Sequence, residues 1–182
     1  MPWTVVVASS IQLSIAVAFV IMTWLAWRYG WQAQAAAEEA VRAQGLDDDA
    51  LARGHVRFSE SAVDAVIPLT TALVLVVLAV GNVAGSNLAR ASTWALQPIV
   101  LLLGGLVTAS QVFATRQVQA AFLKSGDQQL LKVDVERMMS AAVEAFPRWF
   151  RAVVLLRFVL VTIGSACVIV LLSLPMSSSH FY

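Results

Sequence analysis

Ionisable side chains are missing from the middle of every long apolar run in this 182-residue sequence. From Ala65 to Val112 the only charged residue is Arg90. Proton- or ion-coupled transport needs a titrating carboxylate or histidine at depth, so this absence argues against it. It also argues against the four-helix drug exporters that carry a glutamate in their first helix. Cysteine occurs once, as Cys167 inside an apolar run, which removes disulfides and Cys-ligated metals and fits a small core residue. The two histidines, His55 and His180, lie outside the runs, so no bis-His haem site is available. Neither CxxC nor HExxH occurs, and with them go a thiol oxidase and a zinc protease. The reading is of a protein that is not an enzyme, with no cofactor, no catalytic residue and no metal site. Formal net charge is only +1, without the basic patch that nucleic-acid binding requires.

What is present is apolar. Hydrophobic residues make up 59% of the chain and charged ones 13%, against an apolar share of roughly 45–50% in soluble domains. A span of the hydrocarbon core takes about 20 apolar residues, and four runs are long enough. The expected fold class is an all-α integral membrane protein, a single domain over residues 1–182. Its four transmembrane helices are placed at about 4–29, 62–87, 94–116 and 149–174. Two helical cytoplasmic segments, about 32–61 and 117–147, separate the first from the second and the third from the fourth. The first run lacks the basic n-region and small-residue cleavage site of a signal peptide, so it is read as a span. Trp24, Trp27, Tyr29 and Trp31 cluster at its end, as an aromatic belt does at a membrane boundary.

Topology follows from arginine and lysine. All basic residues but Arg90 fall in the two long segments or in the span ends that adjoin them, while the N-terminus and the C-terminal tail have none. The positive-inside rule then places the long segments in the cytoplasm and both termini outside. Ten of the twelve basic residues are arginine, a skew that suits a GC-rich bacterial genome and hence an inner, plasma membrane. At an offset of 85 residues Gln12 matches Gln97, Thr23 matches Thr108, and QAQAA at 32–36 resembles QVQAA at 117–121. One reading makes the halves two parallel helical-hairpin repeats; the other makes the echo chance in an alanine-rich chain.

The local signals concern helix contacts. Ser10, Ser14 and Ala18 recur every four residues as a small-residue stripe, and Gly81 and Gly85 form a GxxxG pair. Asp47 suggests an N-cap after Gly45, with Asp48 and Asp49 in the first turn. The octet 86–93 is expected to be a turn. Asp127 is expected to cap a helix reaching Phe146, with Leu131, Val135 and Met138 on its apolar face and a Lys132–Glu136 pair on its polar side. These three, with the small-residue positions, are the candidate partner contacts. Arg57, Glu60 and Asp64 share one face as the second span begins, and Arg157 is the deepest arginine of the fourth. Either the arginines of this boundary cluster snorkel to anionic headgroups, or Asp64 and Arg157 lock two helices together. Gln12, Thr70, Thr71, Asn82, Gln97, Thr108, Ser110 and Gln111 either bond between helices or line a pore in a homo-oligomer.

The resulting expectation is an accessory or assembly subunit of a larger bacterial inner-membrane complex, respiratory or of the envelope-lipid transport type. Its partners would be membrane lipids and other integral membrane subunits. The alternative is a homo-oligomeric channel or pore-forming protein.

Overall fold

A computed structural model describes residues 1–46, 50–54, 56–59, 61–178 and 180–181. Asp47, Asp48, Asp49 and Glu60, to which the sequence assigns a cap, a first turn and a place in the charge cluster, lie outside the described residues. Among the described residues the structure is 83% helix with no strand. Four helices are long and apolar enough to cross a membrane: Trp3–Arg42, Ala62–Val83, Asn87–Val112 and Phe150–Ser173.

Helix α1 runs unbroken from Trp3 to Arg42. Its apolar first half passes into QAQAAAEEAVR, whose alanine, glutamate and glutamine residues are good helix formers, and Gly45 then turns the chain at φ 77°. Trp3 and Trp24 stand roughly 32 Å apart along it at 1.5 Å per residue, close to the ~30 Å thickness of a hydrocarbon core. A short α2 follows (Ala50–Arg53).

Helix α3 (Ala62–Val83) opens on a capping box. Ser61 N–H and Oγ–H each donate to Asp64 Oδ2 at 2.8 Å, and Asp64 N–H returns a bond to Ser61 Oγ, which satisfies amides that a helix start leaves open. It closes on Gly85 at φ 79°. There Ser86 N–H donates to Gly81 O and Gly85 N–H to Asn82 O, the paired bonds of a Schellman end.

The octet 86–93 is not a turn. Ser86 is the N-cap of α4 (Asn87–Ile99), its side chain accepting from Ala89 N–H, so the connection shrinks to two or three residues. A π-helical turn, Val100–Gly104, joins α4 to α5 (Gly105–Val112). Helical geometry lapses at Phe113 (φ −102°, ψ 21°) before α6 (Ala114–Ser125). The single helix expected from Asp127 is instead a 3-10 turn at Leu130–Lys132 and a separate α7 (Val135–Glu144), capped by Asp134 rather than Asp127. Asp127 caps neither: its Oδ1 accepts from Gln129 N–H at 2.8 Å in a local turn ahead of the 3-10 turn, whose own N-cap, Gln129, makes no side-chain cap bond. Lys132 and Glu136 therefore do not share a helix face. After Pro147 the chain enters α8 (Phe150–Val159), a second π-turn (Leu160–Gly164), α9 (Ser165–Ser173) and a short α10 (Pro175–Ser178).

The chain divides into two compact units. The first comprises Met1–Met22, Val66–Val112 and Ala152–Tyr182 and contains most of the four long helices. Half of the most apolar stretch of α1 is buried, more than in the other three. Ile15, Ala16 and Phe19 of α1 pack with Ala72 and Leu75 of α3 and with Val161 of the second π-turn. Val5 and Ala8 pack with Val168 and Leu172 of α9. The outer wall is apolar, with Val17, Leu73, Leu102 and Ile163 all exposed, as helices facing lipid should be.

The second unit comprises Thr23–Ala65 and Phe113–Arg151. Ala33, Ala37 and Val41 form a stripe on α1 at four-residue spacing and pack with Leu51, Phe122, Leu130, Val133, Val135, Met138 and Ala142. Asp134 N–H donates to Gln44 Oε1 at 2.7 Å, so a side chain in the turn after α1 pins the start of α7. Arg53 pairs with Asp127 at 3.0 Å and donates to Gln129 Oε1.

Candidate functional site

The first unit encloses a connected set of polar side chains from all four long helices. Gln12 comes from α1, Asn82 from α3, Thr93 and Gln97 from α4, and Ser165 from α9; all five are fully buried. Thr93 lies one turn before Gln97, so one face of α4 presents both. Asn82 sits on the same face of α3 as Leu75, Leu78 and Ala79.

The bonds form a directed chain. Thr93 donates to Ala89 O at 2.8 Å, so its oxygen acts as acceptor for Asn82 Nδ2 at 2.9 Å. Asn82 Nδ2 also donates to Gln12 Oε1 at 3.2 Å, Gln12 Nε2 to Gln97 Oε1 at 3.2 Å, and Gln97 Nε2 to Ser165 Oγ at 2.9 Å. Every link but the first crosses between elements. In an apolar bundle, where packing alone discriminates poorly between sliding positions, such a chain fixes the rotation and height of each helix.

Below it the two π-turns meet. A Cβ on Gly104 would lie 3.0 Å from Val161 Cγ1, so the absence of a side chain there lets the turns approach. The hydroxyl of Thr108 donates to Gly104 O at 2.8 Å and that of Thr162 to Phe158 O at 2.7 Å, supplying donors where the wide turns disturb the regular ladder.

Arg157 is 5% exposed. Its guanidinium lies 4.5 Å from the Phe19 ring centroid, and Nη1 donates to Gln111 Oε1 at 3.1 Å. The expectation that it snorkels to headgroups is thus corrected: an aromatic face and an amide oxygen hold the charge inside the bundle. Nor does the expected Asp64–Arg157 lock describe Asp64, whose Oδ2 is taken by Ser61 and by Arg57 Nη2 at 2.7 Å. At another edge of the first unit Arg90 donates twice to Leu172 O, at 3.0 and 3.2 Å. It lies between the rings of Trp94 and Phe181, closing the carbonyl end of α9 with a cation.

The contact candidates divide. Ser10 and Ser14 are exposed, their hydroxyls bonded to Val6 O and Ser10 O; Ala18 is buried. The stripe faces outward at its first two positions and turns inward at the third. Gly81 and Gly85 do not offer a free face: a Cβ on Gly81 would lie 2.6 Å from Ala89 Cβ, and Gly85 provides the left-handed turn. Their four-residue spacing is the geometry of a tight helical hairpin. Val135 and Met138 are buried in the second unit's own core, while Leu131 is 49% exposed on the 3-10 turn. Of that expected apolar face only Leu131 remains outward.

Sequence reading singles out Gln12, Asn82 and Gln97, and the 85-residue echo pairs the two glutamines that the structure joins. It passes over Thr93 and Ser165. Thr93 sits in the octet expected to be a turn, and Ser165 lies in a Gly-Ser-Ala triplet that looks merely small.

Fold and site together define an all-helical chain with four candidate membrane-spanning helices, consistent with a multi-pass membrane protein. No protein-family model, curated protein or solved structure matches this chain.

Proposed function

We propose that the protein is a non-catalytic accessory or assembly subunit of a larger bacterial inner-membrane complex, of the respiratory or envelope-lipid transport type. The observation that carries this reading is how the first unit divides its polar groups. Gln12, Asn82, Gln97 and Ser165 bond to one another inside, while Ser10 and Ser14 face outward with their hydroxyls returned to their own helix. An interior that locks four helices in register, behind an apolar wall on which the small residues Ser10 and Ser14 are exposed, suits docking against another transmembrane helix. The placement of both termini outside and the polar segments in the cytoplasm rests on the arginine and lysine distribution. Duplication of a helical hairpin draws support from the Gln12–Gln97 bond, although both π-turns belong to the second half.

A homo-oligomeric channel would need a polar stripe on the outer wall; Thr70 and Gln111 are exposed, but the inward turn of Gln12, Asn82, Gln97 and Thr108 favours the subunit reading over it. The test is gentle extraction of the tagged chain from its native host, followed by native mass spectrometry. Foreign subunits at fixed stoichiometry support the proposal. They should be lost when Ser10 and Ser14 are replaced by leucine, which adds bulk to the exposed face without touching the interior. Homo-oligomers without foreign subunits would overturn the proposal in favour of the channel.

A further inference from the structure

Three tryptophans and an arginine share one face of α1 in the second unit. Trp24, Trp27, Arg28 and Trp31 stand at i, i+3, i+4 and i+7. All four are exposed, Trp27 and Trp31 to 75% and 71%, and indoles so open call for an apolar surface to meet them. Tyr29, grouped with them in the sequence, is half-buried instead. Its ring centroid lies 6.1 Å from that of Phe146, which stacks on Phe150 at 4.1 Å. These rings bring the segment 147–151 alongside α1, and with it Arg148, Trp149 and Arg151, each exposed. The Arg28 guanidinium lies 5.3 Å from the Tyr29 ring centroid, so arginines from both segments border one aromatic stack.

Charge is unbalanced there. Residues 1–37 and 145–182 contain no aspartate or glutamate, and Arg28, Arg148 and Arg151 form no ion pair among the described residues. Where Phe58 and Ser59 pass α1 at Gly30, the Asp64 that follows is already bonded to Arg57. Glu144, exposed at the end of α7, pairs with none of the three. Depth along α1 points the same way. Trp24 stands one hydrocarbon thickness from Trp3, and Arg28 and Trp31 lie about 6 and 10 Å further on at 1.5 Å per residue. The headgroup layer adds roughly 5–8 Å on each side of the core, which sets Arg28 at the level of the phosphates.

We propose that Arg28, Arg148 and Arg151 form a binding site for the phosphodiester headgroup of an anionic phospholipid, with Trp27 and Trp149 at the boundary between headgroup and acyl chain. Guanidinium groups hold phosphate oxygens through paired N–H donors, and indoles settle where one side is apolar and the other wet. The bound headgroup supplies the negative charge that the two acid-free segments lack. This inference rests on the long helices spanning a bilayer and is independent of the assignment as an accessory subunit.

The full protein in neutral detergent is titrated with phosphatidylglycerol or phosphatidylcholine, and native mass spectrometry counts the lipids retained. Wild type should retain phosphatidylglycerol severalfold over phosphatidylcholine. Arg28→Gln with Arg148→Gln should bring that ratio close to one, while the corresponding pair of lysine substitutions should keep most of it. Arg137→Gln, which removes an exposed arginine of α7, should leave it unchanged. Should the glutamine pair fail to fold, Arg151→Gln alone should at least halve the ratio. No preference in the wild type, or a preference that survives these glutamine substitutions, would overturn the proposal. An equal loss in Arg137→Gln would do the same by reducing the effect to net charge. Displacement of the lipid by excess inorganic phosphate would overturn the lipid assignment in favour of a free-anion site.

Discussion

Replacing Gln97 with leucine tests whether the buried polar chain holds the helices together. The substitution keeps volume nearly constant and removes two interhelical bonds, to Gln12 at 3.2 Å and to Ser165 at 2.9 Å. Interhelical bonds in membranes average about 0.6 kcal/mol with a maximum near 1.7, so the loss is about 1.2 kcal/mol and at most ~3.4. At the mean this is roughly an eightfold shift in the unfolding constant. Gln97→Ala should cost more, because a cavity of roughly 55 Å³ at ~24 cal/mol per Å³ adds about 1.3 kcal/mol. Gln12→Leu combined with Gln97→Leu should cost about 0.6 kcal/mol less than the sum of the single changes, since both remove the same bond. Ser173→Ala, which loses only a bond to its own helix at Ile169 O, is the control with little effect. The assay is reversible unfolding of the full chain in mixed micelles with increasing dodecyl sulfate, followed by tryptophan fluorescence. A Gln97→Leu midpoint indistinguishable from that of Ser173→Ala would refute the assigned role of the chain.

The remaining predictions use the same assay unless stated. Gly85→Ala forces a side chain into the left-handed region and should destabilise by about 1–2 kcal/mol, while Gly81→Val should do worse because Ala89 Cβ occupies the space its side chain needs. In the second unit Asp134→Ala removes a cap bond to Arg137 N–H at 3.0 Å and should cost about 1 kcal/mol, with faster hydrogen exchange confined to the first turn of α7. Phe122→Ala empties a side chain that is 2% exposed and should cost about 3–5 kcal/mol, seen as loss of exchange protection along 33–41 and 135–142. Phe19→Leu removes core packing as well as the ring beneath Arg157, so a double-mutant cycle with Arg157→Met isolates the contact; the coupling should be about 0.5–2 kcal/mol, whereas an exposed arginine would give none.

Sequence periodicity and composition were enough to read four long helices, because a stretch of twenty apolar residues has few other fates. The ends of the helices were harder. In the octet 86–93, serine, asparagine and arginine look like loop residues, yet Ser86 caps and the next turn buries Thr93 against Asn82. The polar residues advertise a turn, and an interhelical bond recruits one of them instead. The helix expected over 127–146 failed for a related reason: two aspartates can each serve as a cap, and the reciprocal bond from Gln44, 90 residues away in sequence, selects Asp134. The glycine pair was visible as a spacing, but spacing cannot say whether the surface it frees meets a foreign helix or the next turn of the same hairpin. Arg157 was the least legible. Its burial depends on Phe19 and Gln111 from other helices, and nothing local distinguishes it from exposed Arg151.

The π-turns at Val100–Gly104 and Leu160–Gly164 are each equivalent to one inserted residue in an otherwise regular helix. An insertion of that kind rotates everything beyond it by about 100° relative to the part before. In one helix alone it would turn Gly105 and Thr108 away from their neighbour and carry apolar side chains into their place. Because the two turns lie against each other, both helices change face at the same level, and Gly105 and Thr108 are buried on the face that the shift presents. Deleting one residue from either turn should misalign that helix on one side of the turn, and deleting one from each should misalign both, because right-handed helices turn in the same sense and the two shifts do not cancel.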